Sequence, residues 1–269
     1  MPFRLSPTIR DRLAGASRPL AGIWVCSGSP VMAEICAGAG LDCVLIDMEH
    51  APNGLASVLA QLQAVAAYPV TPVVRVPTGD VVMIKQVLDL GAQNLLVPMV
   101  STADQARDVV AATRYPPHGR RGVGAALARS GRWNRVEGYL GDADAFVSVL
   151  VQVETVEGVD NAAEIAAVDG VDGVFVGPSD LAASMGVLGQ QTHPEVTTTV
   201  LRVFAAARAT GTPVGVNAFD PATAQSYAEA GANFVLVGAD VTLVARGSEA
   251  LAGRWAPAPS DRSRRFTTG

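Results

Sequence analysis

The chain carries a single lysine, Lys85, among its 269 residues. It falls in the middle of a helix-like run, Val81–Leu90, on what would be the outer surface of a layered or barrel fold. A lysine that forms an imine with a substrate carbonyl must reach an inner pocket, so imine chemistry is not expected and carbonyl activation would fall to a metal. Cysteine is almost as scarce. Cys26, Cys36 and Cys43 are odd in number, sit in apolar segments and lack CxxC or Cys–His spacing, so they read as reduced core residues rather than disulfide or zinc ligands.

Aromatic residues make up only 5% of the chain, whereas apolar residues as a whole reach 49% and glycines number 27. The core must therefore be built from Val, Leu, Ile and Ala, as buried parallel strands require. No basic stripe accompanies the formal net charge of −5, so a nucleic-acid partner is not expected. No apolar run reaches the roughly 18 residues that a membrane span needs. The N-terminus lacks signal-peptide organisation, and Ser6-Pro7 reads as an N-cap followed by a first helical residue. The expectation is a soluble cytoplasmic protein that acts on small molecules.

Runs rich in β-branched residues recur at Leu20–Cys26, Cys43–Asp47, Thr71–Val76, Asn94–Val100, Val147–Glu154, Gly173–Gly177, Pro213–Phe219 and Phe234–Gly238. Between them lie stretches with helical periodicity, at Pro30–Ala39, Leu55–Ala67, Val81–Leu90, Ala103–Thr113, Glu157–Ala167, Pro194–Thr210 and Pro221–Ala230. Gly40, Gly91, Gly211 and Gly231 follow helices, where C-terminal capping favours glycine. This alternation predicts an α/β fold, a closed (β/α)8 TIM barrel forming one domain over residues 1–255. Two segments depart from the rhythm. Tyr115–Gly141 is a long loop, of the kind that carries function or an interface. The Pro/Ser/Arg-rich stretch 256–269 is expected to be a flexible tail without a catalytic role.

In such a barrel the strand C-terminal ends form the catalytic face. Glu154 and Asp180 each stand where an apolar strand-like run stops, one βα unit apart, and two converging carboxylates there suggest a divalent metal. Gln152 shares the side of Glu154 and could orient a ligand or a metal-bound water. The second strand ends in Asp47, Glu49 and His50, with both acids on one side and the imidazole in the loop above. Arg75 closes an otherwise apolar strand and needs an anion, either an internal acid from the second strand or a substrate oxygen. Gly177-Pro178-Ser179-Asp180-Leu181 is a tight turn whose N–H groups could face a carboxylate, although Ser179 or Asp180 could equally cap the following helix.

Seven segments in order, Gly-Ile-Trp24, Leu-Ile-Asp47-x-Glu49-His50-Ala-Pro-Asn, Val-Arg75, Leu-Val-Pro-Met, Tyr-Pro-Pro-x-Gly-x-Arg121-Gly-Val-Gly, Gln152-Val-Glu154-Thr and Gly-Pro-Ser-Asp180-Leu, together resemble the HpcH/HpaI aldolase family. The resemblance runs from about residue 20 to 250 and is closest to the metal-dependent pyruvate aldolases of the 4-hydroxy-2-oxoheptanedioate type, relatives of the phosphoenolpyruvate/pyruvate barrels. It implies that Glu154 and Asp180 bind Mg2+ or Mn2+, with Co2+ or Zn2+ as further options, and that a keto acid chelates the ion through its carboxylate and carbonyl oxygens. It implies a catalytic set of His50, Arg75 and Asp89, with His50 paired to Asp89 and moving protons through a metal-held water. Arg75, Gln152, Ser179, Asp180 and Trp24 would contact substrate. The reaction implied is reversible cleavage of a 4-hydroxy-2-oxo acid to an aldehyde and pyruvate, or hydroxypyruvate, through an enolate on the metal. Homohexamers, as trimers of dimers with the final helix packed on a neighbour, are implied as well.

Thr78-Gly79-Asp80 and Val216-Asn217-Ala218-Phe219 depart from the family pattern and are candidates for the aldehyde pocket. Two other functions share the same residues. Oxaloacetate decarboxylation, or bond formation from that acid, would use the same enolate, and a catalytically silent barrel could bind a keto acid without turning it over.

Overall fold

The computed structural model describes residues 4–255. The predicted tail, 256–269, lies outside the described residues. The chain begins α1 (Ile9–Ala14), β1 (Leu20–Val25), α2 (Pro30–Ala37), β2 (Cys43–Asp47), α3 (Leu55–Ala64), β3 (Thr71–Arg75) and α4 (Val81–Asp89). It continues β4 (Asn94–Val97), α5 (Ala103–Thr113), β5 (Ser148–Val153), α6 (Val156–Asp160), α7 (Ala162–Ala166), β6 (Gly173–Val176) and α8 (Pro178–Ser184). The last elements are α9 (Pro194–Thr210), β7 (Val214–Asn217), α10 (Pro221–Glu229), β8 (Phe234–Ala239) and α11 (Asp240–Trp255). The eight strands pair in parallel and in sequence order, and β8 closes onto β1, so the predicted (β/α)8 barrel is the architecture.

Strand alternation divides the apolar residues into two cores. Leu45, Val73, Leu96, Leu150, Phe175, Phe234 and Leu236 point inward and fill the barrel. Val44, Ile46, Val74, Leu95, Val151, Val174 and Val216 point outward and pack under the helices. Phe234 needs room inside. A Cβ on Gly215 would come within 2.2 Å of its ring, so β7 passes that level without a side chain.

Several boundaries differ from expectation. Thr8, not Ser6, caps the first helix: its hydroxyl accepts from Asp11 N–H while Asp11 bonds back to the Thr8 N–H, a capping box that sets Ile9 as the first helical residue. The single helix expected over Glu157–Ala167 is two, broken at Asn161, whose side chain donates to Ser101 O at 2.8 Å. Six of the strands stop one to three residues earlier than the apolar runs, β2 ends where expected and β8 runs one residue further; the surplus residues form the loops at the catalytic face. Gly40, Gly91, Gly211 and Gly231 all adopt positive φ, as helix termination by glycine requires.

In contrast with the other helices of the ring, α11 buries no apolar residue, only Asp240. That carboxylate accepts from Cys26 N at 2.8 Å and Ser27 N at 3.1 Å, pinning the start of the helix to the end of β1. Val241, Leu243, Val244, Leu251 and Trp255 are exposed along the rest. Beside β8 and β1 lies an apolar groove of about 660 Å³, lined by Leu20, Ala21, Phe219, Val235 and Val237 among others.

Candidate active site

The inward-facing residues at the tops of the strands are Trp24 (β1), Asp47 (β2), Arg75 (β3), Gln152 (β5) and Asn217 (β7), with Glu154 just above β5. Asp47 and Arg75 stand opposite each other across the β2–β3 ladder. Arg75 Nε and Nη2 each donate to Asp47 at 2.8 Å, and Nη1 lies 2.8 Å from Glu49 Oε2. Both alternatives for Arg75 are compatible with this geometry. A guanidinium has five N–H groups; two are bonded to Asp47, and Nη1, ion-paired with Glu49 without a hydrogen bond, keeps both of its N–H groups for a ligand. Its far face lies 4.2 Å above the Trp24 ring, which in turn donates from Nε1 to Asn217 Oδ1 at 2.7 Å. A doubly anchored, stacked arginine is stiff, which suits it to meeting a developing negative charge.

Just above β5, Glu154 is 2% exposed. Its Oε1 accepts from Met99 N at 2.8 Å, and its Oε2 accepts from Gln152 Nε2. Met99 holds φ of +58°, an uncommon backbone state that turns its N–H toward the carboxylate. Burial pushes the Glu154 carboxyl up to about 7; the Gln152 and Met99 hydrogen bonds oppose the rise, while the negative charges of Asp180 and Glu49 add to it. Glu49 is itself raised, chiefly by burial. Gln152 Oε1 is buried without a partner among the described residues. A Cβ on Gly177 would strike Glu154 Oε2 at 2.6 Å, so the strand beside the carboxylate must be bare.

Gly177 is the N-cap of α8 and no side chain caps that helix. Ser179 and Asp180 are therefore in its first turn, not capping it, and their N–H groups face outward from the helix start. Asp80 of the divergent Thr78-Gly79-Asp80 segment caps α4 by accepting from Met83 N at 2.8 Å. Asn217, by contrast, does belong to the mouth.

His50 and Asp89 are not brought together. The imidazole is 65% exposed above β2, with Nε2 3.7 Å from Glu49 Oε2. Asp89 ends α4, and that helix runs back toward the face where β4 begins. There it accepts from Arg121 Nη2 at 3.1 Å, a guanidinium that is fully buried in the Tyr115–Gly141 loop. Among the described residues no group of three or more His, Cys, Asp or Glu gathers as a ready-made metal cluster. Glu154 and Asp180 remain a two-carboxylate set, which is what Mg2+ commonly takes from protein while keeping positions for water and substrate.

The sequence model of the HpcH/HpaI aldolase/citrate lyase family matches residues 20–247. The chain belongs to this family. It is an enzyme, a carbon–carbon lyase of the aldolase type. A 4-hydroxy-2-oxo-heptane-1,7-dioate aldolase from Salmonella arizonae is 55% identical over 240 residues, 89% of this chain and 91% of the relative. A solved HpcH/HpaI aldolase/citrate lyase family protein from Burkholderia cenocepacia is 44% identical with a TM-score of 0.88, covering 91% of this chain and 98% of its own. A solved citrate synthase, SbnG, is 27% identical with a TM-score of 0.82, covering 92% and 96% respectively. The family barrel thus supports both cleavage and formation of carbon–carbon bonds.

Proposed function

We propose that the protein is a divalent-metal-dependent aldolase that reversibly cleaves 4-hydroxy-2-oxo acids to pyruvate, or hydroxypyruvate, and an aldehyde. The observation that carries this reading is Glu154: a buried carboxylate at the top of β5, aimed by Gln152 and Met99 and repelled by Asp180 and Glu49. Two mutually repelling carboxylates fit a divalent cation, Mg2+ or Mn2+ first and Co2+ or Zn2+ as alternatives. When bound, the cation supplies Lewis acidity at the 2-oxo oxygen of the substrate.

The chain's own residues supply the rest. Ser179 and Asp180 N–H groups at the uncapped start of α8 hold the substrate carboxylate, and the Trp24 ring and Gln152 bound the donor half of the site. The two free N–H groups of Arg75 hold the oxygen on which charge develops. His50 Nε2 takes the proton of the 4-hydroxyl group through a water, the C3–C4 bond breaks, the aldehyde departs, and return of a proton to C3 of the enolate gives pyruvate. Asp89 orients that imidazole from a second copy of the chain. His50 is exposed and Asp89 half-buried beside Arg121, and the course of α4 keeps them apart within one copy.

That arrangement agrees with a homo-oligomer, proposed as a hexamer in which the apolar side of α11 seats in the groove beside β8 and β1 of a neighbour. None of the described helices is long and apolar enough to cross a membrane, and the proposed setting is the cytoplasm. Chelator-stripped protein is to be assayed for pyruvate release from a racemic 4-hydroxy-2-oxo acid, with and without added Mg2+ or Mn2+. Release only with metal is expected; equal release without metal would overturn the metal assignment, and no release with either ion the aldolase one.

A further inference from the structure

Arginines of this acidic chain habitually find carboxylates. Arg10, Arg18, Arg75, Arg114 and Arg121 each reach one at 2.8–3.2 Å. Arg129 and Arg132, in the Tyr115–Gly141 loop, do not. Both are half-buried at the face where the strands begin, and their hydrogen bonds go to main-chain carbonyls: Arg129 Nη1 to Leu90 O at 3.0 Å, and Arg132 Nη1 to Arg129 O. Gly91, at φ of +92°, lies between them. A Cβ there would stand 2.7 Å from Arg129 Nη1 and 2.9 Å from Arg132 Nη1, so the two cationic ends crowd one point.

Burial, and then the nearby Arg132 charge, push the Arg129 guanidinium down, and burial pushes Arg132 down. Like charges held together out of water are costly unless something answers them. A third cation, Arg12 of α1, lines the same cavity, which measures about 220 Å³. Asp42 acts on Arg12 electrostatically, but its oxygens are already taken by Arg18 at 2.8 and 2.9 Å and by the Ala21 N–H. The amides on the wall are also engaged, Gln93 Nε2 with Ser6 O at 3.0 Å and Asn94 Nδ2 with Pro72 O at 2.8 Å. Among the described residues, no acid enters the cavity.

We infer that the cavity bounded by Arg12, Arg129 and Arg132 binds a phosphate dianion, free or as the end group of a small phosphate ester. Guanidiniums arriving from two separate elements can share the oxygens of one tetrahedral anion, a geometry that suits phosphate better than a flat carboxylate. The site is on the face opposite Glu154, so its ligand does not compete with a keto acid. Because Arg129 N donates to Asp89 O at 3.0 Å, an occupied cavity ties the long loop to the end of α4.

The test is thermal unfolding of the metal-free full chain against inorganic phosphate and, separately, glycerol phosphate, each matched for ionic strength with KCl. A saturable rise of about 2 °C or more is expected for the wild type. Arg132→Gln should weaken the apparent affinity by about tenfold or more and leave metal-dependent pyruvate release unchanged. Arg12→Gln, at an exposed side chain without a hydrogen bond among the described residues, should weaken it too and covers the case in which Arg132→Gln does not fold. Tighter binding of the ester than of the ion assigns the end-group source; the reverse assigns free phosphate. No rise beyond KCl, or an undiminished rise in the variants, overturns the inference.

Discussion

Glu154 links the chemistry of single residues to a measurable pH dependence. Its carboxyl, raised from 4.5 to about 7 chiefly by burial, holds a proton in the metal-free fold over a range where the unfolded chain has lost it. Between those two values the folded state binds more protons, so this group's contribution to stability falls as pH rises from 4.5 toward 7 and then levels off. A metal ligand must be deprotonated, so the cation displaces that proton. Apparent Mn2+ affinity should therefore strengthen by up to about tenfold per pH unit below 7 and flatten above it, as titration calorimetry at several pH values would record. A flat profile from pH 5.5 to 8 would remove Glu154 from the ligand set.

Single residues were also where sequence reasoning was most uneven. Glu154, Asp180, Arg75 and His50 were legible because each interrupts or closes an apolar run. For Arg75 the sequence left open a second-strand acid or a substrate oxygen as partner, and Asp47 takes the first place by sharing its level in the barrel. The separation of His50 from Asp89 was not legible, since spacing along the chain says nothing about which end of the barrel a helix terminus reaches.

At the scale of elements, the Trp24–Asn217 hydrogen bond joins β1 to β7 across β8. It fixes the ring on which Arg75 rests. Asn217→Leu keeps the bulk and removes the acceptor, leaving a buried indole N–H unpaired at a cost of about 1–3 kcal/mol. The expected outcome is a fall in kcat of roughly tenfold with a smaller change in KM, because the loosened arginine acts on developing charge rather than on the bound acid. Restoration by Asn217→Asp or Asn217→Gln would separate loss of the bond from general damage, and an unchanged kcat in Asn217→Leu would discard the coupling.

The strands were readable from composition because parallel strands are buried on both faces, and β2 matches its predicted bounds at both ends. Most of their ends were overextended, since apolar residues such as Val100 continue past the last regular strand residue, Val97 in β4. The break at Asn161 and the box at Thr8 depend on side-chain bonds to other parts of the chain or to the main chain, which periodicity does not register. Helix α11, absent from the periodic stretches, turns its apolar residues to solvent in the single chain.

For the whole molecule, that exposed helix and the groove beside β8 set the expected behaviour in solution. Removing residues 241–255 takes away Leu243, Val244, Leu251 and Trp255 while leaving Asp240 to hold β1. Light scattering should find the full chain in a defined oligomer and the shortened one in smaller species, with pyruvate release reduced along with assembly because the proposed Asp89 contact is lost. A shortened chain that keeps the parent mass would remove α11 from the interface.

The three tryptophans, finally, are divided by solvent. Trp133 and Trp255 are 52% and 85% exposed, whereas Trp24 is 6% exposed with a guanidinium against its ring. In the chain shortened by α11, which lacks Trp255, iodide in solution will extinguish Trp133 and spare Trp24. The emission that survives there belongs to the catalytic mouth alone, so the protein carries its own optical gauge of whatever enters it, with no label to attach.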